Sequence, residues 1–214
     1  NLLGVTVCGL CDAGDSSPPG AAGCFHCRAG TITASAGLPN CTACSPGRFA
    51  PSHSGTVCFA CPAGLMNDGW GLTYCWQCAQ GRFGNGTSAA SACNACAAGK
   101  YAPGLGHSAC LNCTSGSYAD QTGTVICPLC PAGRASNATG RTVCAACGPG
   151  LYAPNKGLTG CLKCDPGRDS TGASNVNCYE CPPGKYASNG TAGGSPECLS
   201  CSPGYFAAAS GQTQ

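Results

Sequence analysis

The chain contains very few of the residues that form a conventional protein core. Leu, Ile, Val and Phe together number 26 of 214 residues, about 12%. A chain below roughly 20% in these residues normally cannot bury enough apolar surface to fold. Charged residues are equally scarce, at 8%, so the composition does not have the high charge typical of a disordered segment. A different kind of interaction must therefore hold the fold together.

Other absences exclude whole classes of function. No apolar run approaches the ~18 residues that a transmembrane helix needs. The net charge of +2 comes from scattered residues and gives no electrostatic field for attracting nucleic acid. No stretch has the 3.6-residue apolar period of a helix. We therefore expect almost no helix, no nucleic-acid partner and no direct membrane insertion in this segment.

What the chain has instead is cysteine, 24 residues in all, or about 11% of the sequence. Every one belongs to a Cys-x-x-Cys pair, and successive pairs start 17 residues apart with departures of 16, 18 and 20. Such a strict period is the signature of a tandem array. The pairs are Cys8 and Cys11, Cys24 and Cys27, Cys41 and Cys44, Cys58 and Cys61, Cys75 and Cys78, Cys93 and Cys96, Cys110 and Cys113, Cys127 and Cys130, Cys144 and Cys147, Cys161 and Cys164, Cys178 and Cys181, and Cys198 and Cys201.

We expect all of these cysteines to form disulfides that replace the missing core. A bridge that closes a ~15-residue loop contributes about 3 kcal/mol by restricting the unfolded chain. Disulfides require an oxidising compartment, so the sequence predicts an extracellular or cell-surface protein of the secretory pathway. Five Asn-x-Ser/Thr sites for N-glycosylation agree with this location. They are Asn40, Asn85, Asn112, Asn137 and Asn189.

A glycine stands three residues after the second cysteine of every pair, as Gly47 does after Cys44. In five units proline precedes it, and Pro-Gly favours a type II turn whose glycine has positive φ. A short strand, a polar tip and a short return follow, so each 17-residue unit is predicted to be a small irregular β-hairpin closed at its base by sulfur. The fold class is therefore small, disulfide-rich and mainly irregular β, in an elongated array.

Aromatic residues five positions after alternate pairs suggest that two units form a 34-residue module. We expect them to lie against neighbouring disulfides. The predicted organisation is one continuous array over residues 1–214, taken to be a fragment of a longer chain. Its approximate modules are residues 8–40, 41–74, 75–109, 110–143, 144–177 and 178–214.

Sequence alone does not fix the disulfide pairing. Within a module we favour bonds from the first to the third and from the second to the fourth cysteine, such as Cys41–Cys58 with Cys44–Cys61. The alternative is a ladder in which the second cysteine of each pair bonds the first of the next, as in Cys44–Cys58. A bond within one Cys-x-x-Cys pair would close a strained ring typical of redox catalysts, and we do not expect it here.

The motif of two cysteine pairs that enclose a glycine and an aromatic residue resembles the ephrin-receptor-like cysteine-rich repeat, which is similar in style to tumour-necrosis-factor-receptor modules. The resemblance covers essentially the whole chain and is clearest over residues 41–61, 110–130, 144–164 and 178–201. It implies an elongated, disulfide-rich rod that acts as a stalk, a spacer or a binding surface. Long arrays with this Ala/Gly bias, and the Ser-Ser-Pro-Pro at 16–19, look like algal and protist surface proteins, including mastigoneme-like proteins. Units without the aromatic depart from the motif.

Zinc binding, thiol–disulfide catalysis and hydrolytic catalysis are the alternative roles for these residues. The spacing of the pairs is close to that of zinc ribbons, but zinc domains usually add histidine ligands and are intracellular. Thiol–disulfide catalysis needs a pair at a helix N-terminus, and no helix is predicted. The eight carboxylates sit singly on loops, and the sequence shows no serine–histidine grouping. We expect no enzyme activity, no cofactor and no metal.

Two features could make contacts with a partner. Met66, Trp70, Tyr74 and Trp76 place the only methionine and both tryptophans within eleven residues, which suggests an exposed contact site. Local packing over the bonds of Cys75 and Cys78 is the alternative interpretation. A basic residue also follows the turn glycine in six units, as Arg48 follows Gly47. Such a row is either a solvated face or a surface for an acidic glycan.

The predicted function is that of a structural extracellular glycoprotein that helps to build a filament, flagellar hair (mastigoneme), wall or surface coat. Its partners would be copies of itself, other filament or surface proteins, and covalent glycans. The alternative function is a receptor or adhesion ectodomain that presents a ligand-binding surface.

A count of free thiols distinguishes the disulfide array from a zinc protein. When the chain is unfolded in denaturant without reductant, we expect a thiol reagent to label almost no cysteine, because disulfides survive denaturation. A zinc protein would release its metal under the same conditions and expose nearly all 24 thiols.

Overall fold

The structure is a computed structural model, and it describes residues 8–86, 90–187 and 197–213. Within these ranges there is no helix, and the regular structure consists of short strands paired as antiparallel hairpins. The strands are β1 Asp15–Ser16, β2 Phe25–His26, β3 Thr31–Ile32, β4 Thr42–Ala43, β5 Arg48–Phe49, β6 Phe59–Ala60, β7 Leu65–Met66, β8 Trp76–Gln77, β9 Arg82–Phe83, β10 Asn94–Ala95, β11 Lys100–Tyr101, β12 Leu111–Asn112, β13 Arg134–Ala135, β14 Ala145–Ala146, β15 Leu151–Tyr152, β16 Leu162–Lys163, β17 Arg168–Asp169, β18 Tyr179–Glu180, β19 Lys185–Tyr186 and β20 Leu199–Ser200.

Each strand pairs with the next one along the chain, so that β1 pairs with β2, β3 with β4, and so on to β19 with β20. Between β12 and β13 a single antiparallel bridge from Ser117 to Leu129 takes the place of a hairpin. The fold class predicted from the sequence, small, disulfide-rich and mainly irregular β, is confirmed.

The chain forms two compact units. One contains the described residues up to Ala95 together with Ala102–Cys110. The other contains Cys96–Tyr101 and the described residues from Leu111 onward. The same hairpin repeats inside each of them.

A tight turn begins every hairpin, and its glycine has the predicted positive φ. The twelve turn glycines have φ values between 73° and 96°. In the turn at Ser45–Arg48, the Arg48 amide donates to the Ser45 carbonyl at 3.0 Å, and Pro46 and Gly47 are the central residues. With φ of 81° at Gly47, this is the type II turn that the sequence predicts.

The disulfides form a ladder, so the favoured pairing of first with third and second with fourth cysteine is wrong. Bonds join Cys11 to Cys24, Cys27 to Cys41, Cys44 to Cys58, Cys61 to Cys75, Cys78 to Cys93, Cys113 to Cys127, Cys130 to Cys144, Cys147 to Cys161, Cys164 to Cys178 and Cys181 to Cys198. Cys96 and Cys110 are also disulfide-bonded. Cys8 and Cys201, at the two ends of the ladder, are free thiols, although the sequence predicted disulfides at both.

The turn explains why the ladder forms. Because the turn at Ser45–Arg48 directly follows Cys44 and reverses the chain, the Cys44 and Cys58 Cα atoms come within 5.6 Å of each other. Cys61 lies beside the turn itself, where its amide donates to the Gly47 carbonyl at 2.9 Å, and its sulfur bonds forward to Cys75. Each disulfide therefore closes one hairpin, and the Cys-x-x-Cys pair links that hairpin to the next.

The core of the array consists of cysteine sulfur and small side chains. The second cysteine of each bonded pair is at most 7% exposed. The position six residues after the second cysteine is buried as well in every described repeat but the first, where Ser17 is half-buried. It is occupied by Thr33, Ala50, Asn67, Gly84, Ala102, Ala119, Ser136, Ala153, Ser170 and Ala187, and by Ala207 after Cys201. No pattern in the sequence had indicated this second buried position.

Main-chain hydrogen bonds stack the hairpins on one another. The Gly133 amide donates to the Ala153 carbonyl at 2.8 Å in the following hairpin, and the Gly133 carbonyl accepts from the Cys147 amide at 2.9 Å. The Gly157 amide, in the tip of that following hairpin, donates to the Cys130 carbonyl at 2.8 Å. Backbone contacts of this kind leave no room for a large side chain between the layers.

Replacement of a buried small residue should therefore be costly. We expect Ala153→Leu to destabilise the array by about 1–3 kcal/mol, because a side chain that is 0% exposed has no space to grow. The matched control is Ala145→Leu, at an exposed position whose equivalents in other hairpins are Leu111 and Leu162. Thermal unfolding with the disulfides intact measures both. Equal losses of stability in the two variants would contradict a core built from small residues.

Candidate functional site

The hairpin formed by β7 and β8, with its tip, carries the cluster of large side chains singled out from the sequence. We call residues 65–77 the aromatic hairpin. Met66 lies opposite Trp76 in the strand register and is half-buried. Trp70, Tyr74 and Trp76 are 69%, 54% and 38% exposed. The three aromatic residues are therefore on the surface, and Met66 and Trp76 also contribute area to packing.

Two of the three exposed rings contact each other. The Tyr74 and Trp76 ring centroids are 5.2 Å apart and their planes are 76° apart, an edge-to-face arrangement. Tyr74 lies in the bend that precedes β8, and Trp76 is the first residue of that strand. Trp70 occupies the tip of the same hairpin. The hairpin thus presents two rings in contact and a third ring exposed at its tip.

Asn67 fixes the backbone that carries these rings. It occupies the buried small position of its hairpin, at 0% exposure, where other hairpins have Ala, Ser, Thr or Gly. Its side-chain nitrogen donates to the Arg48 carbonyl at 2.9 Å and lies 3.5 Å from the Tyr74 carbonyl, while its side-chain oxygen accepts from the Gly69 amide at 3.0 Å. The buried asparagine and the exposed aromatic residues, which both depart from the repeat, therefore belong to the same hairpin.

The aromatic hairpin itself carries little charge. Asp68, which is exposed, is the only acidic residue between residues 49 and 81, and this stretch contains neither lysine nor arginine. Arg48 and Arg82 flank the stretch, and their guanidinium groups donate to the carbonyls of Cys58 and Cys93. An acidic partner would find no basic side chain within the hairpin. Recognition at this surface can use ring faces, amides and hydroxyl groups.

Aromatic residues elsewhere in the array pair across their hairpins. Phe49 lies opposite Phe59, with ring centroids 6.0 Å apart, and Tyr152 lies opposite Leu162. Phe59 directly follows the first cysteine of the next pair. A contact between these aromatic rings and the neighbouring disulfides stays a prediction.

Three polar side chains that are far apart in sequence form a cluster in the first unit. The His26 Nδ1 atom lies 2.7 Å from Asp15 Oδ1 and 2.9 Å from Ser54 Oγ, and Ser54 Oγ donates to Asp15 Oδ1 at 3.0 Å. No serine–histidine grouping was expected from the sequence. Asp15 and His26 come from β1 and β2, and Ser54 from a hairpin tip about 40 residues later.

The geometry of this cluster is not that of a hydrolase triad. A catalytic histidine uses one ring nitrogen for the carboxylate and the other for the serine. Here both contacts involve Nδ1, and the serine also donates directly to the carboxylate. The arrangement ties a hairpin tip to the first hairpin and is suited to a structural role.

Four of the six basic residues after the turn glycines also have a structural role. Arg48, Arg82 and Arg134 donate from Nη1 to the carbonyls of Cys58, Cys93 and Cys144 at 3.1, 3.0 and 3.0 Å. Arg168 instead forms an ion pair with Glu180 at 2.8 Å. These four side chains bind groups at the base of their own hairpins. The sequence had suggested only a solvated face or a surface for an acidic glycan.

The four predicted glycosylation sites that the structure describes are all on the surface. Asn40, Asn85, Asn112 and Asn137 have exposed side chains, and Asn112 lies within β12. Asn189 lies outside the described residues. Exposure makes the four side chains accessible to a glycosyltransferase.

Among the described residues, no cluster of three His, Cys, Asp or Glu side chains is arranged to hold a metal ion. In the same part of the chain, no helix is long and apolar enough to cross a membrane.

The cluster of Asp15, His26 and Ser54 makes one contact sensitive to acid. The hydrogen bond with His26 lowers the pKa of Asp15 below its ordinary value of 3.8; partial burial opposes this effect and Ser54 adds to it. A carboxyl whose pKa is lowered by folding contributes stability above its ordinary pKa, and this stability is lost as the pH falls through the folded value. We therefore expect the contact to weaken below about pH 3.8.

Hydrogen exchange of the Ser54 amide, which donates to the Cys27 carbonyl at 2.8 Å, measures this change. Its protection relative to the unfolded chain should fall as the pH is lowered through that range. In Asp15→Asn the protection should be lower from the start and should not change with pH. An identical pH profile in the two proteins would show that Asp15 is not responsible.

Residues 99–142 match the family model described as tyrosine-protein kinase ephrin type A/B receptor-like. No curated protein matches the chain. The matched stretch includes two complete cysteine pairs, at Cys110 and Cys113 and at Cys127 and Cys130, with the turn at Gly116 between them. Repeats of this type are typically found in non-catalytic extracellular ectodomains. The match and the tandem disulfide-bonded hairpins together identify a cysteine-rich repeat of the ephrin-receptor-like type in this chain.

Proposed function

We propose that this chain is a tension-bearing structural segment of an extracellular glycoprotein, in a filament, flagellar hair (mastigoneme), wall or surface coat. The observation that supports this most directly is the disulfide ladder, in which every bond closes one hairpin. The ephrin-receptor-like repeat and the need for an oxidising compartment suggest an extracellular ectodomain. The structural role itself is our proposal.

The ladder changes the path that a pulling force takes along the chain. Tension that enters at Cys27 crosses the disulfide to Cys41, continues through two residues to Cys44 and crosses the next disulfide to Cys58. The loop between the bonded cysteines lies outside this path. A fully extended repeat of 17 residues would span about 60 Å without the bond, but three residue steps and one disulfide span only about 16 Å. The bonds therefore prevent most of the extension that unfolding would release.

The same arrangement keeps damage local. Cutting the loop of one hairpin leaves its two ends joined by sulfur, and the neighbouring hairpins keep their own bonds. In a long array the stability of each unit depends mainly on nearby units. Glycans at Asn85, Asn137 and Asn189 would cover the surface, and copies of this chain or other coat proteins would be its neighbours. A rod-like shape belongs to the same proposal.

Force spectroscopy on a single chain held by its ends tests this function. Without reductant, we expect a stretching curve with little release of hidden length. With reductant, each broken disulfide should release a loop of 13 to 17 residues, most often 14, and a 14-residue loop gives a step of about 40 Å. A variant with Cys113→Ser and Cys127→Ser should show one released loop before any reductant is added. Long extensions of the intact protein without reductant would contradict a tension-bearing role.

The aromatic hairpin favours a second candidate function. A receptor or adhesion ectodomain should present at least one surface that departs from the regular repeat, and Trp70, Tyr74 and Trp76 form such a surface. A receptor would bind a soluble partner with one defined stoichiometry. A structural array would instead form fibres or bundles that negative-stain images of native material show directly.

A further inference from the structure

We propose that the aromatic hairpin binds an uncharged polysaccharide, whose sugar rings stack on Trp70, Tyr74 and Trp76. This deepens the proposed structural function, since it names a polymer to which the coat or wall segment would attach. The inference depends on four properties of the hairpin: exposed rings, a fixed backbone, a lack of charge and a small contact area.

The exposed rings have the chemistry that a sugar requires. One face of a pyranose ring carries C–H groups and packs on an aromatic ring, while its hydroxyl groups lie at the edge. Tyr and Trp combine an apolar ring with one polar group, the phenol hydroxyl or the indole N–H. The Tyr74–Trp76 pair and Trp70 supply three such rings on one hairpin.

The backbone that carries these rings is fixed before any partner arrives. The Cys61–Cys75 bond closes its base, and the buried Asn67 amide contacts the backbone on both sides of the tip, at Gly69 and Tyr74. A backbone that is fixed in advance loses less conformational entropy on binding. No other described hairpin has asparagine at this buried position, and no other carries tryptophan.

The lack of charge argues against an acidic or basic partner. Asp68 is the only acidic residue between residues 49 and 81, and no lysine or arginine is present there. Sulfated polymers, uronic-acid polymers and nucleic acids would find no basic side chain within the hairpin, and a basic protein surface would find a single carboxylate. A neutral polymer needs no charged group for binding.

The contact area argues against a second folded protein. Each aromatic side chain offers 150–250 Å² when fully covered, so three rings that are about half exposed offer roughly 300 Å². A stable protein–protein interface needs about 800 Å² on each partner. Three rings are enough for a short run of sugar units, and a polymer that meets many copies of the chain gains strength through multivalency.

The two tryptophans make the test direct, because both lie in this hairpin and the chain has no others. The intact disulfide-bonded protein is titrated with soluble neutral glucans, mannans and xylans, and tryptophan emission is recorded. Co-sedimentation with insoluble cellulose and chitin extends the panel. We expect a blue shift and saturable binding for at least one neutral polymer, and none for polygalacturonate or heparin.

Variants locate the site. Trp70→Ala and Trp76→Ala each leave one tryptophan as a reporter, and each should weaken binding about five- to ten-fold. Asn67→Ala keeps all three rings, and alanine occupies the equivalent position at Ala50 and Ala102. It should weaken binding and lower the emission anisotropy of the tryptophans. Phe59→Ala, at an exposed ring of the preceding hairpin, should leave binding unchanged.

Three results would overturn the inference: no binding to any neutral polymer by the intact protein, binding that requires a charged polymer, or an emission shift that depends only on protein concentration and therefore reports contact between copies. None of them would affect the force measurement, which uses no sugar. Failure of the polysaccharide site and failure of the tension-bearing role are thus separable.

Discussion

The disulfide from the second cysteine of one pair to the first cysteine of the next is the interaction on which the rest of the structure depends. It closes a loop whose two paired strands are only two residues long, as in β5 and β6, too short to be stable alone. It also buries one sulfur of each bond, as at Cys27 and Cys44, in the place where larger proteins have leucine or phenylalanine. Because each bond spans one hairpin, the fold can be repeated without any contact between distant parts of the array.

Close backbone packing follows from this use of sulfur. A Cβ atom on Gly116 would lie 2.3 Å from the Gly157 carbonyl oxygen, a separation that real Cβ atoms do not reach, and φ at Gly116 is 81°. Glycine is needed there for its backbone conformation and also for its small size. The same constraint limits the buried position to Ala, Ser, Thr, Gly and, once, Asn. The low content of large apolar residues is thus a consequence of how closely the hairpins stack.

The parts of this fold that the sequence could predict are those determined within one repeat. The hairpin, the type II turn at Gly47 and the positive φ of the turn glycines all depend on local residues, and all are confirmed. The pairing of Cys44 with Cys58 depends on where the turn places the returning strand, so the favoured pairing was wrong. The cluster of Asp15, His26 and Ser54 joins hairpins about 40 residues apart, and no local pattern indicates it.

The aromatic hairpin shows where function can arise in such an array. The stability of a scaffold held by backbone hydrogen bonds, disulfides and small buried residues depends little on the identity of its outward side chains. These side chains can therefore change without loss of the fold. Trp70, Tyr74 and Trp76 were recognisable in the sequence as an exception to the repeat, but the role of Asn67 was not, because one asparagine among many has no local signature. Its amide contacts both sides of the tip only because the small position is buried. The exposed aromatic side chains and the buried asparagine of this hairpin both depart from the repeat. The two departures together are stronger evidence of a binding site than either alone, since a random substitution on the surface would not require a matching substitution in the core.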